Sequence, residues 1–300
     1  MTQRTHWLEL TADYRCNNRC VGCFAVNNDG PTMSPDELRA ALVRGRREGA
    51  TSLWLGGGEP TLRPDLFGIA AAARKIGYTR VRLQTNGMLL SYPEYVQRSR
   101  AAGVTEVSFS VKGARADTHD RLARTPGSHA MMLRGIENAV REGLGVQADI
   151  LAYRSNVDEI VEMVRAYTPM GVSAYRVWLL SAADGANEDV SGEVPTVTSV
   201  VAAVTAAMDL GLSSRDDFVT SLHTPACTVP RAYHRCLFYA AELGLLVAGP
   251  GGDTFRLEAS RMEGGSYGPE CDTCSARPRC LGFRSDYRVI HGDAEFRPRA

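Results

Sequence analysis

The sequence lacks an excess of either charge, and it also lacks any apolar run long enough to span a membrane. Its 34 Lys and Arg residues balance 34 Asp and Glu residues, which disfavours dedicated binding to nucleic acid or to an anionic membrane. The first six residues lead into a strand-like segment rather than into the apolar core of a signal peptide. We therefore expect a cytoplasmic protein that binds neither nucleic acid nor membrane.

Cysteine is absent between residues 24 and 226, and the eight cysteines fall into two groups on either side of this gap. The first group is Cys16, Cys20 and Cys23, and the second is Cys227, Cys236, Cys271, Cys274 and Cys280. A reducing compartment does not support a disulfide framework. Metal binding or catalysis is therefore the expected use of these cysteines.

Short β-rich runs alternate with helix-like stretches up to about residue 210, which is typical of βα units around a parallel sheet. Six strands are predicted at 5–10, 52–56, 80–85, 105–111, 146–152 and 174–180. The predicted helices lie at about 34–49, 64–77, 92–102, 128–143, 156–170 and 193–211. The first helix begins with a capping box, because Ser34 can cap it, Pro35 suits its first position and Glu37 follows.

Polar and apolar side chains alternate within these strands. The polar faces comprise Arg82, Gln84 and Asn86; Ser108, Ser110 and Lys112; Gln147 and Asp149; Arg176 and Trp178; and Trp7 and Glu9. A parallel sheet covered by helices on both sides is normally apolar on both. We therefore predict an α/β fold, a partial (β/α)6 TIM barrel whose polar face lines a wet cavity. A closed core with an internally satisfied polar layer is the alternative.

The pattern changes after about residue 210. The runs 237–248 and 254–257 flank a Gly-Pro-Gly-Gly-Asp turn and predict a β-hairpin. Gly, Pro and Cys then dominate up to residue 282. So few apolar residues remain that we expect a metal to hold this segment together.

The first three cysteines lie just beyond the first predicted strand, where parallel βα folds place their chemistry. Three thiolates on one short loop can bind three corners of a cubane iron–sulfur cluster and leave the fourth iron open. Zinc is the alternative, but zinc knuckles usually combine a C-x2-C pair with a second, distant pair.

Two further motifs follow this C-x3-C-x2-C loop: Gly57-Gly58-Glu59-Pro60 closes the second strand, and Thr85-Asn86-Gly87 closes the third. Over about residues 5–210 this ordered set resembles the radical S-adenosylmethionine (radical SAM) superfamily. The resemblance implies a [4Fe–4S] cluster on the three cysteines and bound S-adenosylmethionine. It implies that one electron from the cluster cleaves the cofactor to a 5′-deoxyadenosyl radical, which abstracts hydrogen from the substrate. A reductase, flavodoxin or ferredoxin would supply that electron.

The resemblance also implies contacts to the cofactor. Gly57 and Gly58 would let backbone carbonyls approach its ammonium group, and Glu59 would add a negative partner. Asn86 and Ser110 occupy strand ends where the family places polar contacts to methionine and ribose.

Two positions depart from the family pattern. An aromatic residue usually precedes the third cysteine, but here the position is Gly22, so Phe24 is expected to replace it near the adenine. The fourth strand usually ends in an S-x-D-type pattern, and here it reads Ser110-Val111-Lys112.

The second cysteine group is similar to the C-terminal SPASM and twitch extensions of the same superfamily, in which a cysteine precedes a hairpin and a C-x2-C-x5-C run follows. Leu257 and Arg284 stand where the full SPASM pattern has cysteines, which favours the twitch form with one auxiliary [4Fe–4S] cluster. Its expected ligands are Cys236, Cys271, Cys274 and Cys280. They would lie in a small hairpin-containing, loop-rich iron–sulfur module at 213–300, beside the barrel at 1–212. A zinc ribbon is the alternative.

This choice of ligands leaves Cys227 as the one cysteine of the second group without a ligand role. A free thiol near a substrate radical can donate a hydrogen atom, which would turn abstraction into inversion of a carbon centre. The alternatives are that Cys227 replaces another ligand, or that it is a small buried hydrophobe.

Superfamily membership would fix the initiating step but not the reaction. A polar cavity with Lys112, Gln147, Asp149 and Arg176 suits a hydroxylated, amine-bearing ligand such as an amino sugar or an aminocyclitol. We therefore predict an epimerase or dehydrogenase of natural-product (antibiotic) biosynthesis, with Asp149, Arg176 or Tyr153 assisting proton transfer.

The second hypothesis is a maturase of a ribosomally made precursor peptide. Such enzymes often carry a leader-recognition domain before the cysteine loop, whereas Cys16 lies almost at the start of this chain. A non-radical iron–sulfur or zinc scaffold is the third hypothesis, and it would show no cofactor cleavage.

Overall fold

The computed structural model describes residues 5–23, 30–182, 188–222, 224–260 and 265–297. In these residues the strands are β1 (Trp7–Thr11), β2 (Ser52–Gly56), β3 (Arg80–Thr85), β4 (Glu106–Val111), β5 (Gly145–Ala152), β6 (Tyr175–Leu179), β7 (Val219–Leu222), β8 (Leu237–Phe238), β9 (Leu245–Ala248), β10 (Thr254–Arg256), β11 (Gly265–Ser266) and β12 (Phe283–Arg284). The α-helices are α1 (Pro35–Arg47), α2 (Leu66–Ile76), α3 (Pro93–Ala101), α4 (Ala116–Ala123), α5 (Ser128–Arg141), α6 (Ile160–Tyr167), α7 (Val197–Met208), α8 (Ala240–Leu243) and α9 (Ser285–His291).

One curled sheet carries the fold, in the strand order β10-β9-β1-β2-β3-β4-β5-β6-β7-β8. Neighbouring strands are parallel throughout this sheet except for the antiparallel pair β9 and β10. The apolar side of the strands, for example Leu53, Val81 and Val107, packs against the helices in the main core. The carboxyl ends of β1 to β7 therefore meet at one mouth of a half-barrel, and the predicted α/β barrel class is confirmed.

Local signals placed most elements correctly. β2 and β3 have the predicted bounds, and the capping box of α1 forms, with the Glu37 backbone N–H donating to Ser34 Oγ and the Ser34 backbone N–H donating to the Glu37 carboxylate. The prediction missed α4, a helix of 8 residues, and it ended the barrel at six strands although β7 continues the sheet.

The predicted hairpin strand at 237–248 is divided in the structure. β8 pairs with β7 at one edge of the sheet, α8 follows, and β9 pairs with β1 at the other edge. The hairpin itself consists of β9 and β10, with Thr254 opposite Ala248. The physical reason is Gly244, whose φ of +53° ends the short helix α8 and separates the two apolar runs. The chain after residue 213 thus contributes strands to both edges of the barrel sheet.

In the described part of the chain, no helix combines the length and apolarity needed to cross a bilayer.

Candidate active site

The loop with Cys16, Cys20 and Cys23 follows β1 at the mouth of the half-barrel, and all three cysteines are partly exposed. Neighbouring elements hold its backbone: the Val21 N–H donates to the Leu122 carbonyl at the end of α4 at 2.9 Å. The Tyr153 hydroxyl, just after β5, donates to the Val21 carbonyl at 2.8 Å. The helix that sequence reasoning missed is therefore part of the support of this loop.

Gly57 and Gly58 lie directly against the chain that enters the cysteine loop. The Gly58 N–H donates to the Asp13 carbonyl at 2.8 Å, and the Glu59 N–H donates to the Arg15 carbonyl at 2.8 Å. A Cβ on Gly57, whose φ is +108°, would lie 2.5 Å from the Asp13 carbonyl oxygen, and one on Gly58 would collide with the Arg15 carbonyl. The glycine pair thus allows β2 to approach the cysteine loop closely. The contact of these glycines with a cofactor stays a prediction.

Glu59 is 2% exposed, and its carboxylate joins the ends of β2 and β3. It accepts hydrogen bonds from the Thr61 backbone N–H at 3.1 Å, the Thr61 hydroxyl at 2.5 Å, the Thr85 hydroxyl at 2.7 Å and the Asn86 backbone N–H at 2.8 Å. Burial raises the pKa of Glu59, and these hydrogen bonds oppose that shift. The structure therefore gives Glu59 a positioning role that the motif alone did not reveal.

Asn86 connects the end of β3 to the cysteine loop. Its Nδ2 donates to Asn17 Oδ1 at 2.7 Å, and its Oδ1 accepts from the Met88 N–H at 3.0 Å. Asn17 lies inside the C-x3-C-x2-C loop, and no sequence signal singled it out. Ser110 is partly buried on β4 beside Asp149 of β5, and Phe24 lies outside the described residues.

Lys112, at the end of β4, brings a cation to the same mouth, and its side chain is buried. Burial lowers the pKa of this ammonium group, but its attraction to the ionised forms of Cys20, Tyr153, Cys23 and Cys16 outweighs burial and raises the pKa. Its backbone is fixed by His119 of α4, whose Nδ1 accepts from the Lys112 N–H at 3.3 Å. A lysine therefore stands where the family pattern has an acidic residue.

The thiol loop fits an iron–sulfur cluster by its donor chemistry. Burial raises the pKa of Cys16 to about 12, although the Asn18 backbone N–H donates to its sulfur at 3.4 Å, so a bound cation favours ionisation of this thiol. Three thiols on one short loop are the donors that three corners of a cubane cluster require.

Asp149 lies at the centre of the polar inner face of the sheet and is 6% exposed. It accepts hydrogen bonds from Ser108 Oγ at 2.5 Å, Trp178 Nε1 at 3.3 Å and Gln84 Nε2 at 3.4 Å. Burial and the charge of Asp149 raise the pKa of Glu9 to about 7. Two carboxyl groups thus share one polar environment on this face.

The remaining polar face is largely paired within itself and still partly exposed. Arg176 donates to Gln147, and Arg82 Nε lies 2.6 Å from the Glu106 carboxylate. Glu9, Gln147 and Arg176 keep part of their surface accessible. Below them, Trp7 and Trp54 meet Leu245 and Val247 in a separate apolar cluster. The inner face therefore combines features of both interpretations, the wet cavity and the internally satisfied polar layer.

The C-terminal cysteines differ from the expected grouping. Cys227, Cys271, Cys274 and Cys280 line one cavity, whereas Cys236 is not among its lining residues in the described chain. Cys236 is 1% exposed and packs into the main hydrophobic core. The turn after β7 therefore places Cys227, rather than Cys236, beside the C-x2-C-x5-C loop. The ligand set and the role of Cys227 as a hydrogen-atom donor stay predictions.

The fold and the site together define a class of protein: a parallel βα half-barrel with an open three-thiol cluster loop at its mouth. Residues 14–167 match the Radical SAM superfamily, and the chain belongs to this family. Members of the family bind S-adenosylmethionine and a [4Fe–4S] cluster, and this chain carries the cysteine loop that the cluster requires.

Two curated relatives show the range of this family. The chain is 37% identical over 175 residues to "AdoMet-dependent heme synthase" of Methanosarcina barkeri, covering 57% of this chain and 49% of that protein. It is 31% identical over 170 residues to "Mycofactocin maturase MftC" of Mycobacterium tuberculosis, covering 55% and 42%. The chain thus spans about half the length of the curated relatives that it matches.

A solved structure extends the likeness to the whole fold. Streptococcus suis SuiB bound to its precursor peptide SuiA matches with a TM-score of 0.73 at 12% identity, covering 99% of this chain and 76% of SuiB. SuiB bound to S-adenosylmethionine matches with a TM-score of 0.70 at 13% identity, over 99% and 77% of the two chains. At these identities the likeness shows the fold.

Proposed function

We propose that this radical SAM protein abstracts a hydrogen atom from a small, polar, amine-bearing metabolite such as an amino sugar or an aminocyclitol, and that epimerisation or dehydrogenation follows. The observation that carries this proposal is the pair of acidic side chains, Glu9 and Asp149, on the inner face of the half-barrel. A carboxylate that is largely withdrawn from water is a strong partner for a substrate ammonium group.

The chain's own residues would position both reactants. When bound, the cluster on Cys16, Cys20 and Cys23 supplies the electron that converts the cofactor to a 5′-deoxyadenosyl radical. Glu59 and Asn86 fix the ends of β2 and β3 against the loop that carries these cysteines.

Three groups on the inner face would handle the substrate. Asp149 is held in one orientation by its three donors and would orient a substrate amine. Glu9, with a pKa of about 7, can accept a proton near neutral pH, as oxidation of a hydroxyl-bearing carbon requires. Arg176, beside Gln147, would donate hydrogen bonds to substrate hydroxyls.

The C-terminal part would complete the enzyme. We assign residues 1–212 to the radical SAM barrel and 213–300, which also add β7 to β10 to the barrel sheet, to a twitch-like module whose cysteines hold one auxiliary [4Fe–4S] cluster. In a dehydrogenation this cluster would accept the electron that the substrate radical loses together with a proton. An epimerisation would instead require a hydrogen-atom donor with a solvent-exchangeable hydrogen on the other face of the radical, and the cluster would then anchor the site. A flavodoxin or ferredoxin with its reductase is the proposed electron source.

A second candidate is the maturation of a ribosomally made peptide. It is supported by the 31% identity to a protein named as a maturase, over 55% of this chain. Under this alternative the polar inner face would receive one side chain of a precursor peptide.

One assay separates the two candidates. The anaerobically reconstituted protein, with dithionite and S-adenosylmethionine, is incubated in D2O with 2-deoxystreptamine, with glucosamine, or with a peptide encoded beside the gene. We expect an aminated small molecule to stimulate 5′-deoxyadenosine formation, and the product to gain one deuterium if epimerised or to lose two hydrogens if oxidised. Stimulation by the peptide alone would favour the maturase, and the Cys16/Cys20/Cys23→Ala variant is the inactive control.

A further inference from the structure

The four cysteines that line the C-terminal cavity come from two separate segments. Cys227 lies in the 3-10 turn Ala226–Thr228 after β7, and Cys271 ends the turn Pro269–Cys271. Cys274 and Cys280 lie on the loop that leads to β12. All four cysteines line the same cavity, although β8 to β11 lie between Cys227 and the others in the chain, and β9 and β10 are at the opposite edge of the sheet.

Backbone N–H groups are directed at the sulfur atoms of this cavity. The Gly282 N–H donates to Cys280 Sγ at 3.3 Å, and the Ala226 N–H is also directed at this sulfur. The Arg297 N–H is directed at the sulfur of Cys227. Such donors stabilise a thiolate and tune the reduction potential of an iron–sulfur cluster. Ala226, the residue before Cys227, therefore contacts the sulfur of Cys280, so the turn after β7 and the C-x2-C-x5-C loop form one site.

One arginine and one tyrosine side chain lie together in the wall of the cavity. The Arg277 guanidinium lies 3.3 Å from the centre of the Tyr267 ring, and the Tyr267 hydroxyl donates to the Cys280 carbonyl at 2.8 Å. Both residues line the cavity. A cluster with four thiolate ligands carries net negative charge, so an adjacent guanidinium favours it.

Cys236 does not line this cavity in the described chain. It ends the 3-10 turn Arg231–Cys236, is 1% exposed and packs among the apolar side chains of the main core. Cys271 also contacts this core but lines the cavity, so the position of Cys236 away from the cavity is what distinguishes it. A buried thiol in an apolar environment behaves as a small hydrophobe.

We propose that Cys227, rather than Cys236, is the fourth thiolate ligand of an auxiliary iron–sulfur cluster held with Cys271, Cys274 and Cys280, and that Cys236 is a core residue. This inference rests on the auxiliary cluster of the proposed function. It replaces the pairing that the sequence pattern favoured and leaves no free thiol at the C-terminal site.

The test isolates the auxiliary site in full-length protein that carries Cys16/Cys20/Cys23→Ala. After anaerobic reconstitution we expect about four irons per chain in this background. Adding Cys227→Ala is expected to lower the iron content or to leave a [3Fe–4S] cluster, detected by EPR and Mössbauer spectroscopy. Cys227→Ser, which retains an oxygen donor, should change the spectrum while keeping part of the iron. Adding Cys236→Ala is expected to leave both iron content and spectrum unchanged.

Each outcome decides between the assignments. Loss of cluster with Cys236→Ala and retention with Cys227→Ala would overturn the inference, as would retention of an unchanged spectrum in both. Circular dichroism of each variant shows whether a loss of cluster is caused by misfolding. In that case the iron content and spectrum of Cys227→Ser decide between the two assignments. A background protein that binds zinc or no metal would refute the auxiliary cluster itself, whereas the formation of 5′-deoxyadenosine by the wild-type chain tests the radical SAM activity separately.

Discussion

Glu9 offers a sharp test of the inner face, because its pKa of about 7 makes folding stability depend on pH. The ordinary pKa of this carboxyl is 4.5. Between pH 4.5 and pH 7 the folded protein therefore keeps the proton on Glu9, whereas the unfolded chain has released it. The stabilisation by this protonated carboxyl is complete below pH 4.5 and is lost as the pH rises towards 7. At about 1.4 kcal/mol per pH unit, the loss between pH 5.5 and pH 8 is roughly 2 kcal/mol.

The perturbation is Glu9→Gln, which keeps the size of the side chain and removes its ionisation. We expect the variant to be more stable relative to wild type at pH 8 than at pH 5.5, by roughly 2 kcal/mol. Urea unfolding followed by tryptophan fluorescence measures this difference, since Trp54 lies close to Glu9. Glu137→Gln, on the exposed side of α5, is the matched control, for which we expect no such difference.

The reasoning is refuted if Glu9→Gln changes the free energy of unfolding equally at both pH values. In that case Glu9 ionises as it does in the unfolded chain, and the inner face is wetter than the burial of its side chains indicates. The proposed role of Glu9 as a base near neutral pH would then fail as well.

Substitutions at three further positions probe the mouth of the barrel. Glu59→Ala is expected to lower the free energy of unfolding by about 3–5 kcal/mol because it leaves buried donors without an acceptor. Glu59→Gln is expected to lower it by less than half of that. Equal losses of the two variants in urea unfolding would contradict the assigned contacts. Gly58→Ala should reduce iron loading of the N-terminal cluster by collision with the backbone of its loop, whereas Gly68→Ala, with open space around it, should leave loading unchanged in the same iron assay. Tyr153→Phe removes the hydrogen bond to the Val21 carbonyl, and we expect it to lower the free energy of unfolding by about 1 kcal/mol. It should also speed bleaching of the cluster absorbance in air. An unchanged bleaching rate would contradict a role of this hydrogen bond in holding the loop.

The first six barrel strands could be predicted from the sequence because each carries its own signal. Alternation with a period of two marks β3 and β4, and the motifs at Gly57 and Asn86 end their strands with residues suited to turns. The cysteine loop, the glycine pair and Glu59 were found by their spacing. The short helix α4 was missed because its 8 residues allow only about two turns of apolar periodicity.

The C-terminal part could not be predicted in the same way, because its strands are defined by distant partners. Gly244 divides the apolar run at 237–248, but no local feature shows that β8 pairs at one edge of the sheet and β9 at the other. The position of Cys227 depends on where β7 joins the sheet, so spacing favoured Cys236, which stands before the hairpin. Contacts such as that between Asn17 and Asn86 likewise exist only once the loops have met.

The parallel pairing of β1 with β9 also sets an order of events during synthesis. Leu8 is opposite Leu246, so the first strand lies in the barrel long before its second neighbour leaves the ribosome. At about 5–20 residues per second, the edge of β1 stays open for roughly 10 to 50 s. An unpaired edge strand is a template for aggregation. We therefore expect nascent chains that stop before β9 to be insoluble. The edge of β1 is protected from aggregation only when β9 has paired with it.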